Sequence, residues 1–366
     1  MFWLVSIWSV AAFWQIFYYG YWLGKFSITH PQDAENTSFD PRPVSVVIAA
    51  KNEAENLRKN LPEILLQDYP AYEVVVVNDA STDGTAPVLK DLKEQYPALT
   101  VIDIPARSGY AGNKKNALTE GIRKAKYDYL VFTDADCVPA SRQWLRLMSR
   151  PLHQGKDLVL GYGAYRRTAG FLNRMIRYET LLTAWQYFAY YRHGIPYMGV
   201  GRNIAYTKNF FGKTGGFASP GGIRSGDDDL LVNRYAVAEH TAVVTDPGAF
   251  TVSQPETSWG KWFRQKKRHL TTAFYYRPVH RYMLAAFYLS QLVFPAGWLW
   301  LTTEYATMAA VILGLRYLTA GSGMYFAGKK LNEHNLVPLF PVLEVVLTVF
   351  QLWVFASHLI QPRKKW

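Results

Sequence analysis

Three clusters of acidic residues in this chain of 366 residues have a spacing that could do chemistry. Asp134 and Asp136 stand two residues apart, directly after the apolar run 129–133. Two carboxylates this close repel each other unless a cation or a donor joins them. Mg²⁺ and Mn²⁺ typically take one or two carboxylates together with phosphate oxygens. The pair therefore predicts a divalent cation that bridges a diphosphate, with a solvated turn as the alternative.

The second cluster contains Asp79 and Asp83, and the third covers residues 227–229. Asp79 follows an apolar run at 73–77, whereas Asp83 is predicted to cap the next helix. The three consecutive acids open a helical segment, where they would complement the positive end of the helix. They form either a solvated helix cap or, if the fold brings them near the metal, a general base.

The elements that must position these acids alternate between strand and helix patterns. Continuous apolar runs are typical of strands buried on both faces, and they occur at 44–50, 73–77, 99–104 and 129–133. The alternation predicts an α/β domain over 44–256 with a mostly parallel sheet and right-handed crossovers. Ligands of such sheets bind beyond the carboxyl ends of the strands. That edge would carry Glu53, Asp79, Asp134 and Asp136.

Long apolar stretches lie at both ends of the chain. Residues 2–24 carry no charge and are long enough to cross a bilayer. No basic segment precedes them and no cleavage site follows, so we predict an uncleaved anchor over 1–25 and a linker over 26–43. The C-terminal region 282–366 holds three more apolar segments, at about 283–303, 305–327 and 337–360.

The basic residues that flank these segments favour the cytoplasmic side. Lys25, Lys329 and Lys330 agree with one orientation, but the basic tail at 363–365 conflicts with a crossing by 337–360. Either the rule fails for this tail or the segment is re-entrant, which its prolines permit. The catalytic domain of an integral inner-membrane protein is then expected on the cytoplasmic side.

The net charge of +12 and the aromatic content of 16% fit either nucleic acid or a membrane interface. The single cysteine excludes a disulfide scaffold and a cysteine-ligated zinc site. Basic and aromatic residues interleave at 257–281, and no acidic residue occurs from 257 to 303. We predict a basic amphipathic helix at the membrane interface there, and a second at 169–192. Because 257–281 leads directly into an apolar segment, nucleic acid is not expected as a partner.

Taken together, these motifs resemble family 2 glycosyltransferases, in the membrane-attached branch that includes cellulose, chitin and hyaluronan synthases and lipid glycosyltransferases. The likeness covers about 44–270. It is carried by VSVVIAAKNEAENL (44–57), GNKKNALTEGI (112–122), GKTGGF (212–217), Asp79, Asp134-Ala-Asp136 and Gly226-Asp227-Asp228. The resemblance implies a GT-A fold, a Rossmann-like α/β catalytic domain.

The resemblance also implies roles for individual residues. The residues expected to bind the donor are Ala50, Glu53, Asp79, Lys114, Asp134 and Arg268. Those expected to hold Mg²⁺ or Mn²⁺ are Asp134 and Asp136. Asp228 would be the general base, and the residues on the acceptor side would be Gly216, Asp227, Gln265 and His269.

One motif departs from the pattern of the polymer synthases. They carry Gln-x-x-Arg-Trp, whereas this chain has Gln265, Arg268 and then His269. The resemblance therefore implies an inverting transfer of one sugar from a nucleotide-sugar, with UDP favoured, to a membrane lipid. A processive polysaccharide synthase is one alternative. The other is a membrane scaffold or transporter that only binds nucleotide-sugar.

Overall fold

The computed structural model describes residues 2–29, 40–105, 112–217, 226 and 228–360. The chain divides into two compact units. The sheet unit comprises Pro31–Arg167 and Pro196–Pro255, and the helical unit comprises Met1–His30, Thr168–Ile195 and Glu256–Lys365. The predicted domain over 44–256 is therefore interrupted, because 168–195 belongs to the helical unit.

The strands all lie in the sheet unit. In chain order they are β1 Val44–Ala50, β2 Tyr72–Asp79, β3 Leu99–Ile104, β4 Tyr129–Phe132, β5 Cys137–Pro139, β6 Leu158–Leu160, β7 Gly163–Tyr165, β8 Ile204–Thr207, β9 Thr241–Val243 and β10 Thr251–Ser253. The main sheet has the order β3-β2-β1-β4-β8-β6-β9, and a small sheet has the order β5-β10-β7. In the main sheet β8 pairs antiparallel with β4 and β6, and the other pairs are parallel. The predicted α/β class with a mostly parallel sheet is confirmed.

The helices belong to both units. In chain order they are α1 Phe2–Phe17, α2 Gly24–Ile28, α3 Ala54–Leu65, α4 Thr85–Gln95, α5 Lys114–Lys124, α6 Trp144–His153, α7 Phe171–Arg192, α8 Lys208–Lys213, α9 Asp229–Tyr235, α10 Trp259–Ala273, α11 Pro278–Glu304, α12 Ala306–Lys330 and α13 Phe340–Ile360. A π-helical turn, Tyr18–Trp22, joins α1 to α2. A 3₁₀-helical segment, His334–Leu339, leads into α13.

The main sheet is covered on both faces, which explains why its central strands are apolar along their whole length. One face of β1 packs with α3, α4 and α6 in a core that includes Val46, Leu61, Leu89 and Trp144. Helix α5 covers the other face at very close range. A Cβ on Gly121 would lie only 2.6 Å from Val47 Cγ1, so this helix requires glycine there.

The helical unit contains α1, α2, α7 and α10 to α13. Among the described residues, Pro278–Glu304 and His334–Ile360 are long and apolar enough to cross a membrane. Helix α7, predicted as an interfacial helix, has most of its residues buried inside this unit. Trp185 illustrates its central place, because its indole Nε1 donates to the carbonyl of Leu23 at 2.8 Å.

Candidate active site

The carboxyl ends of β1, β2 and β4 lie at one edge of the main sheet, because these strands are parallel and adjacent. Ala50 ends β1 in register with Asn78, and Asp79 ends β2. Asp134 follows β4 after one intervening residue. The predicted strand-end residues therefore share one edge of the sheet.

Three carboxyl groups at this edge interact electrostatically. Burial raises the pKa of Glu53, and the charges of Asp136 and Asp134 raise it further, against a hydrogen bond from Asn56 Nδ2 at 2.6 Å. Burial also raises the pKa of Asp136, with the Asp134 charge as the next cause. Such mutual repulsion is typical of a site that a cation completes.

The chemistry of this donor set fits Mg²⁺ or Mn²⁺. Among the described residues, no group of three or more His, Cys, Asp or Glu side chains is arranged to hold a metal. Of the described residues, Asp134 and Asp136 would thus hold the ion, and phosphate oxygens and water would complete the coordination, as is common for Mg²⁺. Lys114 Nζ, 2.7 Å from Asp134 Oδ1, shows that this carboxylate accepts a positive charge.

A cleft in the sheet unit brings Asp228 together with these groups. Its lining includes Lys114, Asp134, Gly201 and Asp228. The Asp228 carboxylate is held in place because Oδ1 accepts from the backbone N–H of Asp229 at 2.8 Å and Oδ2 accepts from that of Gly201. The candidate base, the candidate phosphate-binding lysine and a candidate metal ligand therefore line one cleft.

Asp79 faces the segment that begins α5. It is 3% exposed, and its Oδ2 accepts from the backbone N–H of Asn113 at 2.7 Å. Gly112 has φ +82°, and a Cβ there would lie 2.3 Å from Lys51 Nζ and 2.8 Å from Asp79 Oδ2. This position therefore requires glycine, both for its backbone conformation and for the close approach of the two side chains.

The acceptor-side residues lie in different parts of the chain. Gly216 has φ +82° and precedes Phe217, which lines the cleft. Gln265, Arg268 and His269 lie on α10 in the helical unit, with Arg268 and His269 exposed. The predicted acceptor-side residue Asp227 lies outside the described residues.

Arg202 is a neighbour of the acidic pair that the sequence does not reveal. Its guanidinium lies 4.2 Å from the centre of the Tyr165 ring, and Nη2 donates to the carbonyl of Gly163 at 2.6 Å. Its positive charge opposes the rise in the pKa of Asp136. The only sequence signal is Gly-Arg-Asn before β8, which predicts no partner for the arginine.

Comparison with known proteins identifies the family of part of the chain. Residues 45–215 match the sequence model of Glycosyl transferase family 2. The chain thus contains a glycosyltransferase family 2 domain, and the predicted family is confirmed.

Individual relatives are similar over shorter or more distant alignments. The poly-beta-1,6-N-acetyl-D-glucosamine synthase of Staphylococcus epidermidis is 36% identical over 95 residues, which cover 26% of this chain and 22% of the synthase. The probable glycosyltransferase YdaM of Bacillus subtilis is 28% identical over 248 residues, 65% of this chain and 56% of YdaM. The alignments therefore span little more than half the length of these relatives, or less.

A solved structure supports the fold. The mannosyltransferase PcManGT from Pyrobaculum calidifontis, in complex with GDP-Man and Mn²⁺, has a TM-score of 0.58 at 21% sequence identity. The likeness covers 95% of this chain and 98% of that chain. The GT-A fold predicted for the sheet unit is thereby confirmed.

Proposed function

We propose that this protein is a membrane-bound, metal-dependent inverting glycosyltransferase that moves one sugar from a nucleotide-sugar to a membrane lipid. The observation that carries the proposal is the cleft lined by Lys114, Asp134 and Asp228 at the carboxyl edge of the sheet. A cation for phosphate, a metal ligand and a fixed carboxylate are the groups that such a transfer requires.

In this mechanism the strand ends bind the donor. Asp79 and Glu53 hold the nucleoside, and Asp134 and Asp136 face the diphosphate. When bound, Mg²⁺ or Mn²⁺ at these two aspartates neutralises charge on the diphosphate leaving group. Lys114 exchanges its ion pair with Asp134 for phosphate oxygens and offsets the same charge. The family resemblance assigns the same role to Arg268, and we keep it as a proposal.

Asp228 receives the proton of the acceptor hydroxyl. Its backbone hydrogen bonds fix the carboxylate, so its orientation is set before the acceptor arrives. As the base takes the proton, the acceptor oxygen attacks the anomeric carbon, the bond to the diphosphate breaks, and the configuration inverts. A positioned general base contributes about 10²–10⁴-fold to the rate.

A lipid acceptor is supported by the character of the helical unit. Two of its helices are long and apolar enough to cross a membrane. Helix α10 exposes Lys261, Arg264 and Arg268 at spacings of three and four residues, which aligns them on one side of the helix. Basic residues in this arrangement suit the phosphates of a membrane interface. We therefore favour an acceptor whose hydroxyl or phosphate lies at that interface.

A processive polysaccharide synthase is the second candidate. The observation that favours it is the likeness of this chain to poly-beta-1,6-N-acetyl-D-glucosamine synthases. Against it stands His269, where the polymer synthases that the sequence resembles carry tryptophan.

The test uses purified full-length protein in vesicles made from a bacterial lipid extract, with Mg²⁺ or Mn²⁺. UDP-GlcNAc, UDP-glucose and GDP-mannose are supplied separately, nucleoside diphosphate release is measured, and products are sized by mass spectrometry. We expect one lipid that gains the mass of one sugar. A ladder of oligomers would favour the synthase, and no diphosphate release with any donor would favour a non-catalytic binding protein.

The proposed base is tested with Asp228→Asn, which keeps the shape of the side chain. We expect turnover to fall by about 10²–10⁴-fold, with little change in binding of the nucleotide. Asp91→Asn is the matched control, because Asp91 is exposed on α4. Near-normal turnover of Asp228→Asn would contradict the assignment.

A further inference from the structure

We propose that residues 334–360 form a re-entrant segment, which enters and leaves the bilayer on one side and exposes an apolar stripe to the lipid of one leaflet. The inference rests on the membrane attachment proposed above, but not on the transfer chemistry. It follows from where the two ends of α13 lie within the helical unit.

Helices α11 and α12 form an antiparallel hairpin, which defines two ends of the unit. Trp298 Nε1 donates to the carbonyl of Ala309 at 3.2 Å, and the Arg316 guanidinium lies 5.6 Å from the centre of the Phe294 ring. In each pair one residue precedes Tyr305, the residue between the two helices, and the other follows it at a similar distance along the chain. The start of α11 and the end of α12 are therefore at the same end of the hairpin.

From that end, the residues that follow α12 run back along the hairpin towards its middle. Lys330 Nζ donates to the carbonyl of Phe26 in α2 and to that of Thr29, directly after α2. Ten residues later, the Phe340 ring lies 6.0 Å from the ring of Tyr317. Tyr317 precedes Lys330 by 13 residues, or about 20 Å of helix. Helix α13 thus begins well inside the unit.

The first turns of α13 are fixed at this depth by a buried ion pair. Arg316 Nη1 donates to Glu344 Oε2 at 2.6 Å, and Tyr19 Oη donates to Glu344 Oε1 at 2.9 Å. Gln291 of α11 donates to the same oxygen at 3.4 Å. Glu344 therefore lies level with the middles of both helices of the hairpin.

The other end of α13 lies beside the start of α11. Lys267 Nζ donates to the carbonyl of Ser357 at 2.9 Å, and the Phe274 and His358 rings stack at 5.8 Å. Phe274 comes four residues before α11 begins. From Glu344 to His358 the helix rises about 21 Å, and from Pro278 to Gln291 about 20 Å. Helix α13 therefore returns to the end from which the segment entered.

This path removes the conflict in the charge pattern. One side holds Lys25 in α2, the basic residues that precede α11, Lys329 and Lys330 at the end of α12, and the last turn of α13. The hairpin tip, residues 301–306, contains no lysine or arginine. That distribution agrees with the preference of basic residues for the cytoplasmic side.

The surface that α13 presents has the chemistry of a lipid contact. Its exposed apolar residues recur at helical spacing on one stripe, and they include Val342, Val345, Val349, Leu352, Trp353 and Leu359. A groove of α10 and α13, lined by Trp259, Val346 and Phe350 together with three stripe residues, opens beside the stripe. Arg268, which is exposed on α10 next to Lys267 and thus near Ser357, is placed to complement lipid phosphates on that side. We assign the stripe and groove to lipid hydrocarbon chains of the leaflet on that side.

Single cysteines test the topology in sealed vesicles. The native Cys137 is fully buried, and burial raises the pKa of its thiol to about 12, so the wild-type protein is the unlabelled control. A membrane-impermeant maleimide is applied to Ile360→Cys, Lys329→Cys and Tyr305→Cys. We expect Ile360→Cys and Lys329→Cys to react from one face, and Tyr305→Cys from the opposite face. Reaction of Ile360→Cys from the face of Tyr305→Cys would overturn the inference.

Depth measurements give a second, independent readout. Nitroxide labels at Val345, Val349, Leu352 and Leu359 should show immersion that decreases steadily from the first to the last. The matched series on α12 uses its exposed residues, Val311, Leu315, Leu318 and Tyr325. This series should be deepest in its middle, and the same profile on α13 would overturn the inference. Release of wild-type protein from vesicles by alkaline carbonate would overturn the membrane attachment itself, which distinguishes the two failures.

Discussion

Removal of one partner of the ion pair between Arg316 and Glu344 should destabilise the helical unit. The two residues are 3% and 5% exposed, and the guanidinium donates two hydrogen bonds to the carboxylate. The hydrogen bonds, at about 1.5–3 kcal/mol each for charged groups, offset the cost of removing the two charges from solvent, so the pair as a whole contributes little net free energy. Glu344→Gln leaves the arginine charge buried without its counter-ion, and such losses cost about 3–5 kcal/mol.

The assay is thermal unfolding of the purified protein in detergent. Samples are heated to a series of temperatures, and size-exclusion chromatography measures the fraction that remains folded. A loss of 3–5 kcal/mol corresponds to a fall in Tm of about 10 °C for a unit of this size. The double variant Arg316→Met with Glu344→Gln removes both charges and should recover most of the loss. Glu120→Gln is the control, because Glu120 forms an exposed ion pair with Arg123, and such pairs contribute at most about 1 kcal/mol.

Two outcomes would refute this reasoning. One is a Tm for Glu344→Gln within about 2 °C of wild type, since the expected free-energy loss would then be absent. The other is a double variant as unstable as the single one, since the cost would then come from lost packing and not from an uncompensated charge.

Three further predictions concern the sheet unit. Asp136→Asn should lower turnover by about 10²-fold, since a catalytic metal contributes several kcal/mol to stabilising the transition state. Excess chelator should inhibit the wild-type protein, and full activity in chelator would contradict the metal assignment. Gly112→Ala should weaken nucleotide binding up to about tenfold, because a non-glycine residue at positive φ costs about 1–2 kcal/mol and the new methyl group would clash with Lys51 and Asp79. Calorimetry measures the binding. The control is Gly155→Ala, since Gly155 has φ +89° and open space around it. Burial and the charge of Arg42 lower the pKa of His153 from 6.5 to about 4, so the unfolded chain binds the proton first as pH falls. Stability should therefore decrease between pH 6.5 and 4, by about 1 kcal/mol at pH 5 after allowance for solvent screening, and denaturation of His153→Gln should lack this component.

Local signals in the sequence were sufficient for much of the sheet unit. The apolar runs predict β1 to β4 to within two residues, because strands buried on both faces are apolar along their length. The acids at the ends of these runs follow from the same pattern, since parallel strands place their carboxyl ends at one edge. Asp83 lies one residue before Gly84, the N-cap of α4, but its Oδ1 still accepts from the Thr85 backbone N–H in the first turn at 3.0 Å.

Other features depend on contacts between distant parts of the chain. Nothing local to 168–195 indicates that it leaves the sheet unit, because its aromatic and basic composition fits an interfacial helix as well as a buried one. Arg202 is similar, since its place near Asp136 depends on the return of the chain into β8. The sequence left the path of 337–360 undecided, and its path depends on the buried partners of Glu344.

By itself the sequence determined the α/β class, the order of the motifs, the acids at the strand ends and the apolar character of both ends of the chain. These properties depend on the periodicity and the types of residues that are close together in the chain. The tertiary structure alone decided that Asp228 shares a cleft with Lys114 and Asp134, and that α13 returns beside α10. Such juxtapositions depend on packing between residues far apart in the chain, and local patterns carry no information about which distant partner a buried charge will find.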